Sequence, residues 1–100
     1  MRAYTKAPLH PGRILKHDYI EPLSLSVVKL AAYLGVSKKT LYRIVNEQSA
    51  ITPNMALRLA QAFQTTPGLW LNMQKEFDLW QAQHESEAWS HIQPLHIESR

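Results

Sequence analysis

Ser26-Val27-Val28-Lys29-Leu30-Ala31-Ala32-Tyr33-Leu34-Gly35-Val36-Ser37-Lys38-Lys39-Thr40-Leu41-Tyr42-Arg43-Ile44-Val45-Asn46 reads as two short helices joined by a tight turn. Ser26 and Ser37 each precede a run with helical apolar spacing and are placed to cap its first amide groups. Gly35 closes the first helix, because a residue without a Cβ enters the left-handed conformation of a turn at no steric cost. Ala31 stands four residues before Gly35, Leu41 six after it and Ile44 three later. A small residue where the helices cross and apolar residues at those offsets predict a helix-turn-helix, whose second helix is shaped for the DNA major groove.

Leu30, Leu34, Val36, Leu41 and Ile44 are expected to lock the pair together, with Val45 beside them on the buried face of the second helix. That leaves Lys38, Lys39, Thr40, Tyr42, Arg43 and Asn46 outward, most of them on one stripe at helical spacing. Their chemistry suits base edges. Lys and Arg donate to guanine O6 and N7, Asn pairs bidentately with adenine, and a Thr methyl meets the thymine methyl. Ser26, Lys29, Ser37, Ser49 and Thr52 are assigned to the phosphate backbone, which orients a protein without specifying sequence. The plain alternative is a helical hairpin with a merely solvated outer face. Two serine caps and the Ala/Gly/Leu/Ile spacing favour the DNA reading.

Working outward, the chain punctuates into five helices with no convincing strand, an all-α fold. Pro11 to Ile20 forms the first, with Ile14, Leu15 and Tyr19 at helical period and Glu21-Pro22 ending it. Thr52-Pro53 opens the fourth, with a core stripe of Met55, Leu59 and Phe63 beside Ala56 and Ala60. Thr66-Pro67 repeats the device for a long fifth helix carrying Trp70, Met73, Phe77 and Trp80. The first three of these are expected in the core. Trp80 and Trp89 exceed what a small core needs and mark a dimer or partner surface. The fifth helix could run towards Trp89, although Ser86 and Ser90 argue against it. From His91 onward Pro94 interrupts a segment without helical period, read as a tail. The expected organisation is an arm over 1–8, a helix-turn-helix domain over 9–83 with its core at 26–46, and an extension over 84–100.

Size and composition agree. One hundred residues, 45% hydrophobic, support a single core, with an expected radius of gyration of roughly 13 Å. The absence of cysteine excludes disulfides and thiolate metal sites and is compatible with a reducing cytoplasm. No signal peptide is evident, and no apolar run approaches the ~20 residues of a membrane span. A cytoplasmic, soluble protein is expected. The net charge of +3 is polarised. Residues 1–58 hold nine Lys or Arg against three acids, a net +6, and residues 59–100 hold two against five, a net −3. A basic front half suits a polyanion and an acidic back half a different partner.

Enzyme chemistry finds little support. No carboxylate pair or Ser/His/Asp spacing accompanies the histidines, and three glycines do not make a phosphate loop. His84 and His91 could share a helix face, but without a third ligand a solvated role is the simpler one. Neither a metal nor a cofactor is expected.

His10-Pro11-Gly12-Arg13-Ile14-Leu15, Glu21-Pro22-Leu23, Lys29-Leu30-Ala31, Leu34-Gly35-Val36 and Ile44-Val45-Asn46 resemble the HigA (VapI-like) antitoxins of bacterial toxin–antitoxin modules. These belong to the Cro/repressor-like, XRE-type helix-turn-helix class. Ile51-Thr52, Ala56-Leu57-Arg58-Leu59-Ala60, Trp70-Leu71-Asn72-Met73-Gln74 and Phe77-Asp78-Leu79 extend the likeness over about residues 9 to 80. The resemblance implies a five-helix domain that dimerises through its last helix. Such a dimer binds a palindromic operator on double-stranded DNA, represses its own operon and neutralises a HigB-like, mRNA-cleaving toxin. A stand-alone repressor, or a partner-binding module with weak DNA binding, are the other readings. Three positions depart from the family pattern. Val27 stands where a phosphate-binding Gln is usual. Glu47 follows Asn46 in place of Gly, which removes an easy left-handed cap and puts an acid near the DNA backbone. Arg13 replaces a Glu after His-Pro-Gly, a surface change that bears on the toxin contact.

Overall fold

Among the described residues, each of the five α-helices starts on a side chain that satisfies its own first turn. The structure, a computed structural model, describes residues 7–96, so parts of the expected arm and tail (1–6 and 97–100) lie outside the described residues. The first helix, α1 (Pro11–Ile14), continues as a wider π-helical stretch over Leu15–Ile20. α2 spans Val27–Leu34, α3 Lys38–Val45, α4 Pro53–Phe63 and α5 Pro67–Glu85. A 3₁₀ turn, Ala88–His91, follows. No strand occurs among the described residues. The four serine and threonine caps act as the spacing predicts: Ser26, Ser37, Thr52 and Thr66 each accept a hydrogen bond from the amide three residues on, at 3.0–3.2 Å.

The first helix differs from the plain α-helix expected. Pro22 has no N–H to give to the carbonyl of Asp18, and its ring crowds that position. The ladder widens instead, with the Glu21 amide reaching Lys16 O at 3.0 Å. Leu15 and Ile20, five residues apart, both reach the core in consequence. The chain then makes one more hydrogen-bonded turn before α2.

Leu15, Leu30, Ala31, Leu34, Leu41, Ile44, Met55, Ala56, Leu59 and Trp70 build one core, joined by Ile20 and Ile51, which lack a clear periodic signal. Tyr19 leans on the rings of Phe63 and Trp70, at 4.8 and 5.3 Å between centroids. The Trp70 indole N–H donates to Thr65 Oγ1 at 2.8 Å, so the largest core side chain buries no unmet donor. Met73 and Phe77 are only half-buried, and Gln74 takes the deeper position between them. Its Oε1 accepts from the Ile51 amide (2.9 Å), and its Nε2 donates to Asp78 Oδ1 (2.9 Å).

α5 stops at Glu85, because Ser86 is extended; the helix does not reach Trp89. Beyond Gln74 no residue of α5 is buried. The helix and tail therefore project from the body, and the radius of gyration is 17.1 Å with extents of 54 × 31 × 24 Å. The shorter radius expected from chain length holds for a compact domain, which this chain exceeds by the length of its last helix.

Candidate nucleic-acid interface

The α2–turn–α3 unit is fixed from three directions. Gly35 adopts φ 76°, and Val36 N–H closes the turn onto Ala31 O at 3.0 Å. Arg58, on α4, caps the same turn: its Nη1 donates to Leu34 O at 2.7 Å while Nε donates to Asn54 Oδ1 at 2.7 Å. Sequence reading missed Arg58, since its partner lies 24 residues away. Leu41 and Ile44 are buried, with Val45, so α3 can present only its opposite face.

That face holds the six side chains assigned to base contact. Lys38, Lys39, Thr40, Tyr42, Arg43 and Asn46 are all exposed, and the stripe carries two Lys and an Arg but no acid. Of the residues assigned to phosphates, Ser26, Lys29, Ser37 and Thr52 are exposed and Ser49 is half-buried. Ser26 and Thr52 use an oxygen lone pair as caps and keep a hydroxyl proton to donate outward. Ser37 differs: its proton goes to Thr40 Oγ1 at 2.8 Å, leaving Thr40 the outward donor of the two. Val27 is half-buried and packs on the core, which is a physical reason for an apolar residue there.

The far end of α3 is held by α1. Gly12 lies so close beneath the Ile44 carbonyl that a Cβ would overlap it, which explains the glycine of His-Pro-Gly. His10 is buried and caps α1: its Nδ1 accepts from the Gly12 amide at 2.9 Å, and the ring also hydrogen-bonds the Ser49 backbone. An acceptor at Nδ1 requires the neutral ring protonated at Nε2. Burial lowers its pKa below the usual 6.5, opposed by the nearby charges of Glu47 and Asp78 and by the Ser49 bond. Phe77 meets the ring edge-on at 5.0 Å.

Glu47 takes over the role that a glycine would fill at this turn. It occupies the left-handed position itself, at φ 63°, with Glu47 N–H on Ile44 O (3.0 Å) and Gln48 N–H on Arg43 O (2.7 Å). Its carboxylate accepts from Arg13 Nε at 3.2 Å. The two departures at 13 and 47 are thus a single ion pair across 34 residues of sequence. Arg13 serves a contact within the domain.

α5 carries apolar residues that the core leaves uncovered. Leu79 is 55% exposed, and Leu9 and Trp89 are exposed as well. Trp80 is half-buried with the His84 ring stacked on it at 4.1 Å, while His84 Nδ1–H reaches the Trp80 carbonyl at 2.8 Å. Shallow grooves flank Leu79, one lined by Ile51, Leu71, Lys75 and Asp78, the other by Pro8, Glu76, Trp80 and Gln83. No described helix is long and apolar enough to cross a membrane.

Comparison with known proteins places these features in company. The sequence profile of a helix-turn-helix family matches residues 17–70. A Haemophilus influenzae protein described as an HTH-type transcriptional regulator is 46% identical over 80 residues, covering 80% of this chain and 75% of the relative. Antitoxin HigA-1 of Vibrio cholerae is 32% identical over 98 residues, covering 97% of this chain and 92% of its own. Among solved structures, Pseudomonas aeruginosa antitoxin HigA with the higBA promoter matches with a TM-score of 0.83 at 36% identity, covering 89% of this chain and 99% of that one.

Proposed function

We propose that this chain, which belongs to the XRE-type helix-turn-helix family together with the HigA antitoxins, is a cytoplasmic DNA-binding antitoxin that acts as a homodimer. It binds a palindromic operator in double-stranded DNA through α3, represses its own operon and neutralises an mRNA-cleaving toxin. The observation that carries the DNA half is the face of α3: six exposed side chains able to read or touch a base edge, backed by a buried Leu41-Ile44-Val45 face. A relative solved with its promoter supports the same reading. Arg43 and the two lysines are the base readers, Tyr42 packs on sugar or a base edge, and Ser26, Lys29, Ser37, Ser49 and Thr52 line the backbone.

The dimer half rests on α5. Lys75 and Asp78 share with Leu79 the lining of one groove, a pattern that becomes self-complementary when two copies meet about a two-fold axis. Trp80 extends that surface along α5, and Trp89 lies beyond the helix end on the same arm.

A gel shift with the DNA upstream of the gene, at two salt concentrations, tests the reading. Neutralising six phosphates gives a log–log salt slope of roughly −5. Arg43→Ala should cost about 1–3 kcal/mol on the cognate operator and relax one base preference. Uniform weakening on unrelated sequences would make Arg43 a phosphate contact, and no retardation at low salt would remove DNA binding. The 46% identical regulator favours a second reading, a repressor without a toxin. Co-expression with the product of the adjacent open reading frame separates the two: an antitoxin copurifies with it and relieves its growth arrest.

A further inference from the structure

The turn that ends α3 carries an acid beside the surface to which a polyanion is assigned. Glu47 directly follows Asn46, the last residue of the exposed stripe. Its left-handed backbone is held by the hydrogen bonds from Glu47 N–H to Ile44 O and from Gln48 N–H to Arg43 O, which fix where the side chain leaves the turn. One helical turn separates it from Arg43. An uncompensated carboxylate there would repel any phosphate that comes within roughly a Debye length, about 8 Å.

Arg13 answers that charge, with Nε 3.2 Å from Glu47 Oε2. The side chains are 52% and 34% exposed, and pairs so solvated contribute little to stability. The pair therefore calls for a role other than holding the fold. Stability of the junction has better sources: the Gly12 backbone packed on Ile44, the His10 cap, and the Gln74 side chain on the Ile51 amide. The Gly12–Ile44 packing sets α1 against the end of α3 and brings the guanidinium of Arg13 to Glu47 at the margin of the basic stripe.

We propose that Arg13 tunes the DNA interface through Glu47, neutralising a carboxylate that would otherwise repel the phosphates flanking α3. It is a positioning residue, acting on the DNA through its partner and not by a contact of its own. The inference rests on the DNA-binding reading above.

A double-mutant cycle tests it on the full chain. Operator affinity is measured by fluorescence anisotropy for the wild type, Arg13→Ala, Glu47→Gln and Arg13→Ala/Glu47→Gln, with thermal melts of each. Gln at 47 keeps the left-handed cost of a non-glycine residue and removes only the charge. Arg13→Ala should weaken binding about three- to tenfold at low salt, with a smaller loss as salt rises. Arg13→Lys should recover most of it. The double variant should bind within about twofold of Glu47→Gln alone, because without the acid there is nothing to screen. A double variant as weak as Arg13→Ala would overturn the proposal, since Arg13 would then touch DNA itself or hold the turn. Arg13→Ala binding as tightly as wild type would overturn it as well. Failure of the wild type to bind any upstream DNA would instead bring down the DNA-binding reading on which it stands.

Discussion

At the scale of one residue, His10 joins α1, the turn after α3 and α5 with a single neutral ring. It caps Gly12 through Nδ1, bonds the Ser49 backbone and packs against Phe77. Burial lowers its folded-state pKa below 6.5, against the pull of Glu47 and Asp78. As pH falls from 6.5 towards that lower value, the unfolded chain protonates first and the native state loses stability, by at most about 1.4 kcal/mol per pH unit. Above pH 6.5 this contribution is fully present. His10→Asn keeps a capping acceptor and removes the proton site. Denaturation followed from about pH 7.5 to about pH 5.5 should show a flatter profile for the variant. An unchanged slope would assign the pH dependence to another group. Neither His10 nor Arg13 was legible from sequence as a structural residue. Histidine is not a usual cap, and the partner of Arg13 is 34 residues away.

At the scale of the element, helix starts were legible throughout, while stops were legible only where Pro22 or Gly35 marks them. Ser26, Ser37, Thr52 and Thr66 announce themselves because few residue types can cap an N-terminus. Three helices then end in the same left-handed turn, at Gly35, Glu47 and Gln64, and the turn before α2 repeats it at Ser24, each followed by an amide that reaches back five residues. Only one of the four is glycine, so residue type revealed only one. The other three bear a steric cost of roughly 1–2 kcal/mol each for positive φ with a Cβ. Gln64 is exposed at φ 59°. Gln64→Gly should therefore stabilise the chain by about 1 kcal/mol, raising the melting temperature by about 4–8 °C. A lower melting temperature would show that the Gln64 side chain makes a contact worth more than the strain. The same logic explains α5. Apolar spacing named Trp70 correctly but could not foresee Gln74, whose burial depends on the Ile51 amide from another element.

At the scale of the whole molecule, the all-α plan and the outward face of α3 were both readable, because helical period and caps are local signals. The elongated shape was not, since composition says how much core a chain can build and not where its last helix goes. The uncovered side of α5 has a direct test. Leu79→Glu places a charge at the centre of the proposed two-fold and should leave a monomer by sedimentation equilibrium at micromolar concentration. Its operator affinity should fall steeply, because two recognition helices about 34 Å apart no longer bind together. A dimer that survives the substitution would move the interface elsewhere. Distance along α5 also acts as electrical insulation. From Gln74, the last buried residue of the helix, to Glu85 at its end is about 16 Å of helix, roughly two screening lengths in physiological salt. Glu85 therefore lies beyond the screening range of charges level with Gln74, whereas Asp78, one turn past Gln74, is near enough to act on His10. One short chain thus carries a basic front half and an acidic back half, with charge separated along its length.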